Sequence, residues 1–108
     1  SSDAVPPITP YFVMKVGHVP LIPYHRPGDP AVGELVADRI VAMQAAGTPL
    51  RAVMLERLGP NVWHRSPTDA SAVLEELEET ARLWLRTRAA PLTDDQIAEL
   101  REHFGAHW

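Results

Sequence analysis

The chain has 108 residues, a formal net charge of -4 and no cysteine. That leaves room for one domain and one core, and it excludes disulfides, thiolate metal sites and cysteine nucleophiles. Ten basic residues against fourteen acidic ones, with no run of Lys or Arg, argue against a nucleic-acid surface or a membrane-surface patch. No apolar segment approaches bilayer-spanning length and no basic-then-apolar leader opens the sequence, so a cytoplasmic protein is expected, with which the lack of cysteine is compatible.

Residues 1–10, SSDAVPPITP, carry three prolines and are expected to be an extended lead-in. The segment 11–24 reads as two strands. In the first, YFVMKV (residues 11–16), aromatic and β-branched residues run up to Gly17. The second, residues 20–24, holds Pro20 and Pro23, which confine it to an edge or a bulge because proline cannot donate to a ladder. After the loop HRPGDP, Asp29 followed by Pro30 opens a helix over 30–46, with Val32, Leu35, Val36, Ile40 and Met43 at helical spacing and Gly47 as its terminal cap.

Residues 51–63 form the central strand and turn. Ala52, Val53, Met54 and Leu55 make an apolar run too short for a helix and suited to a strand buried on both faces. A turn at Gly59 and Pro60 is expected after it, then Val62 and Trp63. Ser66, Pro67 and Asp69 open the longest helix, 67–89, with an apolar stripe through Ala70, Val73, Leu74, Leu77, Ala81, Trp84 and Leu85. Its acidic and basic residues read as a solvated face in the order the helix dipole favours. Thr93 with Gln96 opens a last helix, 94–104, in which Ile97, Leu100 and Phe104 share a face, and His107 and Trp108 form a tail. Strands covered by helices make an α/β layer arrangement.

Five histidines raise the question of metal binding. His103 and His107 have the spacing that puts two imidazoles on one helix face, but Gly105 interrupts them. His18 and His25 flank the proline-rich run and lack a third ligand, and His64 reads as a polar turn residue. No glycine-rich phosphate loop, nucleophile elbow or spaced acid pair is present. Tyr11 and Tyr24 are candidate proton donors, set against ordinary packing of a strand tyrosine. From residue types alone, the sequence supports an α/β domain and no assigned chemistry.

Four ordered blocks add more: TPYFVMKVG (9–17), PLIPYHRPGDP (20–30), AVMLERLGPNVW (52–63) and LEELEETARLWL (74–85). In these blocks the chain resembles the C-terminal half of the class II aldolase/adducin family, and within it the 3-oxo-tetronate 4-phosphate decarboxylases. The resemblance implies part of an α/β/α sandwich on a mainly antiparallel sheet, in a homo-oligomer of fourfold symmetry with sites between subunits. It also implies a divalent metal, commonly zinc, stabilising charge on the enediolate of a phosphorylated sugar acid or ketose. Tyr11 matches the tyrosine that in some members donates a proton in a neighbouring subunit's site, and the tail of His107 and Trp108 matches C-termini that cover a neighbour's site.

The sequence departs from the family in two ways. Phosphate loops, the catalytic acid and a His-x-His metal pair belong to the first half of the domain. Where the family has an Asn-His-Gly word, this chain has Arg57, Leu58 and Gly59, and leucine cannot coordinate a metal. The expected metal-ligand and cofactor-binding sets in this chain are therefore empty. Three readings follow: a lyase subunit or fragment inactive alone, whose missing half a partner chain supplies; a non-catalytic, adducin-like scaffold; or an assembly that covers the exposed faces by self-association.

Overall fold

The computed structural model describes residues 3–108; Ser1 and Ser2 of the lead-in lie outside the described residues. Seven elements follow in order: α1 (Pro10–Lys15), β1 (Leu21–Ile22), α2 (Pro30–Ala45), β2 (Ala52–Leu55), β3 (Gly59–Val62), α3 (Pro67–Thr87) and α4 (Asp94–Phe104). Three strands make a mixed sheet in the order β1-β2-β3, with β1 parallel and β3 antiparallel to β2.

The expectation of a strand over 11–16 is wrong. Thr9 caps a helix there: its side chain accepts from the Phe12 amide at 3.1 Å, Pro10 occupies the first turn, and Gly17 at φ +83° closes it. Phe12 and Val16, four apart, then fall on one face and both are buried. Burial of that face outweighs the β propensity of a Tyr-Phe-Val run, which is a weak and context-dependent preference. Of the two strands expected in 11–24, only Leu21–Ile22 forms. It is an edge strand, pairing Leu21 with Met54 and Ile22 with Leu55.

β2 is central, and its side chains alternate. Ala52 and Met54 join Val5, Phe12, Val16, Val19, Val73 and Leu77 on the α1/α3 side, whereas Val53 and Leu55 join Ile22, Leu50, Val36, Ile40, Met43 and Trp63 on the α2 side. Full burial of Phe12 or Leu77 is worth roughly 1.5–3 kcal/mol each in transfer free energy. Gly59 and Pro60 are not the turn: they start β3, opposite Leu55 and Met54, and the reversal is made by Glu56, Arg57 and Leu58. Met54 donates its N–H to Pro20, so in the antiparallel pair Pro60 lies at a position whose nitrogen faces the free edge, where its missing donor costs nothing.

The lead-in is tied down: Asp3 bridges Pro20, the Ala4 amide donates to Val19 at 2.8 Å, and Val5 is buried. α3 ends at Thr87, with Arg88 at φ +49° stacking its guanidinium 4.1 Å from the Trp84 ring. Two expected apolar positions face outward, Leu85 at 62% and Phe104 at 65% exposure, because the layers that α3 and α4 cover end before those last turns. α2 differs most from expectation. It has no buried residue in 16, although its sheet-facing side chains touch the core.

Candidate functional site

The β2–β3 hairpin brings the family-related position to a tight apex. The Leu58 amide donates to Leu55 at 3.0 Å, closing a β-turn whose third residue, Arg57, has φ +66°. Glu56 is fixed from the other side by its amide, which donates to Ile22 at 3.0 Å. Leu58 points its aliphatic side chain from this apex and is 47% exposed. Among the described residues no group of three His, Cys, Asp or Glu side chains is assembled to hold a metal ion.

His64 does not replace a ligand at the apex. Trp63 donates its amide to Arg51 at 2.9 Å, so His64 sits beyond the foot of the hairpin, about 13 Å from the apex for a four-residue strand. Its Nδ1 accepts from the Arg65 amide at 2.8 Å, which places the ring proton of the neutral form on Nε2. The Asp69 carboxylate at 3.6 Å from that same nitrogen is therefore a through-space neighbour and not a hydrogen-bond partner. Ser66 accepts from the Asp69 amide at 3.1 Å as expected of a cap. Arg51, Lys15, His64 and Asp69 line an open depression of about 180 Å³ beside α3.

His18 and His25 are occupied locally. His18 Nδ1 meets Asp3 Oδ2 at 2.8 Å, and its ring stacks on Trp108 at 3.7 Å. His25 Nδ1 donates to the Pro23 carbonyl at 2.8 Å. His103 lies in the last turn of α4, and Gly105 at φ +66° turns His107 off the helix, so the pair does not share a helix face. Tyr11 lies on the second position of α1, 61% exposed, with Lys15 Nζ 5.4 Å from its ring centroid; it is a helix residue and not a packed strand tyrosine. The Trp108 tail folds onto its own chain: its ring meets Phe12 edge-on at 6.4 Å and its carbonyl accepts from Arg101 at 3.0 Å. This clasp was invisible in the sequence, since an aromatic residue after a glycine cap carries no signal of where it lands.

Residues 1–85 match the family described as Class II Aldolase and Adducin N-terminal domain. The chain belongs to the class II aldolase and adducin family. It is 52% identical to the 3-oxo-tetronate 4-phosphate decarboxylase of Cupriavidus necator over 98% of this chain and 49% of that protein. Its identity to the Escherichia coli protein of that name is 41%, over 94% of this chain and 46% of the relative. Among solved structures, YgbL of Escherichia coli superposes with a TM-score of 0.77 at 40% identity, covering 94% of this chain and 47% of YgbL. The chain thus spans about half the length of the curated relatives it matches. As a class II aldolase family member it keeps the relatives' fold over that half. No helix among the described residues is long and apolar enough to cross a membrane.

Proposed function

We propose that this chain is the later half of a carbon–carbon lyase domain of the decarboxylase branch, acting on a phosphorylated sugar acid and incomplete by itself. What supports this most is the 52% identity to a 3-oxo-tetronate 4-phosphate decarboxylase, which extends over 98% of this chain but only 49% of the relative. In such a reaction the C1–C2 bond of the 3-oxo acid breaks, carbon dioxide leaves, and the bonding pair becomes an enolate conjugated with the C3 oxygen. A proton delivered to C2 completes the product. The chemistry needs stabilisation of charge at the C3 oxygen and a positioned acid. Tyr11 is the acid in this reading: its exposed place on α1 leaves the phenol available to a neighbouring subunit's site.

Complete members supply the charge stabilisation with a divalent metal, commonly zinc. The residues of this chain do not fit that role, because Leu58 stands at the hairpin apex and no donor cluster forms among the described residues. The complete domain is, on this reading, an α/β/α sandwich on a mainly antiparallel sheet, in a cytoplasmic oligomer with sites between subunits. A second reading, a non-catalytic adducin-like scaffold, draws its support from Leu58 itself.

Turnover decides between them. Carbon dioxide release from 3-oxo-tetronate 4-phosphate is measured for the chain alone and for the chain mixed with the segment of the Cupriavidus necator protein that it does not span. No release alone, release in the mixture carrying Leu58→His, and loss of that release with Tyr11→Phe are expected. No release in any mixture, including one carrying Leu58→His, overturns the lyase reading in favour of the scaffold.

A further inference from the structure

His18 is held between an acid and an indole, and the lyase chemistry uses neither contact. Its Nδ1 lies 2.8 Å from Asp3 Oδ2, and its ring stacks on Trp108 with 3.7 Å between centroids and 27° between planes. The His18 and Asp3 side chains are only 22% and 17% exposed. Asp3 is set in place by its bridge to Pro20 and by the neighbouring Ala4 amide, which donates to Val19 at 2.8 Å. Trp108 is set in place from the other side: its carbonyl accepts from Arg101 Nε at 3.0 Å, and its ring meets Phe12 edge-on. One imidazole therefore joins the lead-in, the turn after α1 and the tail.

We infer that this cluster is a proton-operated latch, in which the charged form of His18 holds the Trp108 tail on the fold and the neutral form lets it open. Both neighbours prefer the cation. The hydrogen bond to Asp3 persists in either form when Nδ1 carries the proton, but in the imidazolium it is charge-assisted on both sides and so stronger. A cation over the face of an indole is also attracted by the ring's quadrupole, an attraction the neutral imidazole lacks. Proton and tail are coupled reciprocally: if the closed tail favours the proton, the proton favours the closed tail by the same factor. The latch is thus tightest below the range in which imidazoles titrate and loosens as pH rises through it. Four further groups belong to this corner. Arg101 of α4 donates to the Trp108 carbonyl, Arg51 donates to the Lys15 carbonyl, Lys15 of α1 places its ammonium over the Tyr11 ring, and His107 of the tail shares a small cavity with Arg51 and Gly17. Positive charge on any of them opposes the proton on His18. Asp3 is in direct contact with the ring while these four have partners or surroundings of their own, so the attraction dominates. Opening uncovers the Phe12 edge of α1, the helix that also carries Tyr11, and the latch stands whether or not the chain is a lyase.

The full 108-residue chain is followed by NMR between about pH 5.5 and 8.5, above the range in which ordinary carboxylates titrate. Tail opening is read from the protection of the Ala106 amide, which donates to Leu100 at 3.3 Å, corrected for intrinsic exchange at each pH, and from the Overhauser contact between the Trp108 and Phe12 rings. Opening is expected to rise on the order of threefold across that range, the size of a modest cation–π gain, and the ring contact to weaken with it. His18→Gln is expected to open the tail and flatten the response, Asp3→Asn to shrink it, and His107→Gln to leave it unchanged. Circular dichroism matching the parent shows that a variant is folded. For a variant that is not, the parent's own His18 ring protons decide: their titration midpoint coincides with that of tail opening if the latch is real. A parent tail equally closed at both ends of the range, non-coincident midpoints, a response that survives His18→Gln or vanishes with His107→Gln, or a full response in Asp3→Asn each overturns the latch.

Discussion

Trp63 donates its indole N–H to the Leu50 carbonyl at 2.8 Å, while its own backbone N–H donates to Arg51 at 2.9 Å. One residue therefore ties β3 to the entry of β2 twice, and it does so at the foot of the hairpin, away from the Leu58 apex. Trp63 also packs against the Ile22, Leu50 and Val53 cluster, so the register of the hairpin and the α2 side of the core are held by the same side chain.

Trp63→Phe keeps an aromatic ring there but removes the donor and leaves the Leu50 carbonyl short of one partner. A loss of about 1–2 kcal/mol is expected, read as a lower denaturant midpoint with unchanged slope. A variant as stable as the parent would show that the indole bond contributes nothing net.

Arg57 holds φ +66° in the turn before Leu58, a region that costs a residue with a Cβ roughly 1 kcal/mol and costs glycine almost nothing. Arg57→Gly is expected to raise the melting temperature by a few degrees, the usual response to a gain of that size in a domain this small. The glycine's extra freedom in the unfolded chain offsets part of the gain. A fall in melting temperature would mean that the Arg57 side chain makes a stabilising contribution of its own.

Trp108 stacks on His18 at 3.7 Å and meets Phe12 edge-on at 6.4 Å. Trp108→Ala is expected to cost about 1–3 kcal/mol, less than loss of a fully buried aromatic, because the ring is only partly buried. Amide exchange at Ala106, whose N–H donates to the Leu100 carbonyl at 3.3 Å, should quicken in the variant, and unchanged exchange would place the tail elsewhere in solution.

Leu58→His returns one nitrogen donor to the hairpin apex. Since no group of three His, Cys, Asp or Glu gathers among the described residues, and a protein zinc site takes at least three such ligands, calorimetry should find no stoichiometric submicromolar zinc site. None is expected in the parent or in the variant chain. A tight site in either would overturn the account of an incomplete shell.

Much of this was readable from local grammar. Asp29-Pro30, Ser66-Pro67 and the Thr93 and Gln96 pair each mark a helix start, and the caps form as expected, including the reciprocal box at 3.2 and 2.9 Å between Thr93 and Gln96. The same grammar stands at Thr9-Pro10, where the Tyr-Phe-Val composition suggested a strand. A side-chain cap and a pre-set proline φ act within one turn, whereas strand propensity has force only when a partner strand is available. Likewise the exposed Leu85 and Phe104 continue stripes whose period is correct, but periodicity says nothing of where the opposing layer stops.

By itself the sequence determined the starts of α2, α3 and α4, the central strand from Ala52 to Leu55 buried on both faces, the leucine at the apex and membership of the family, because these depend on residues a few positions apart or on the order of words along the chain. Only the tertiary structure decided that residues 10–15 are helical, that β1 lies parallel to β2, that Trp108 folds back on His18, and that α2 is left half covered. Each of those turns on which surfaces meet across long stretches of chain, and that is settled by total apolar area removed from water, which no short window of sequence contains.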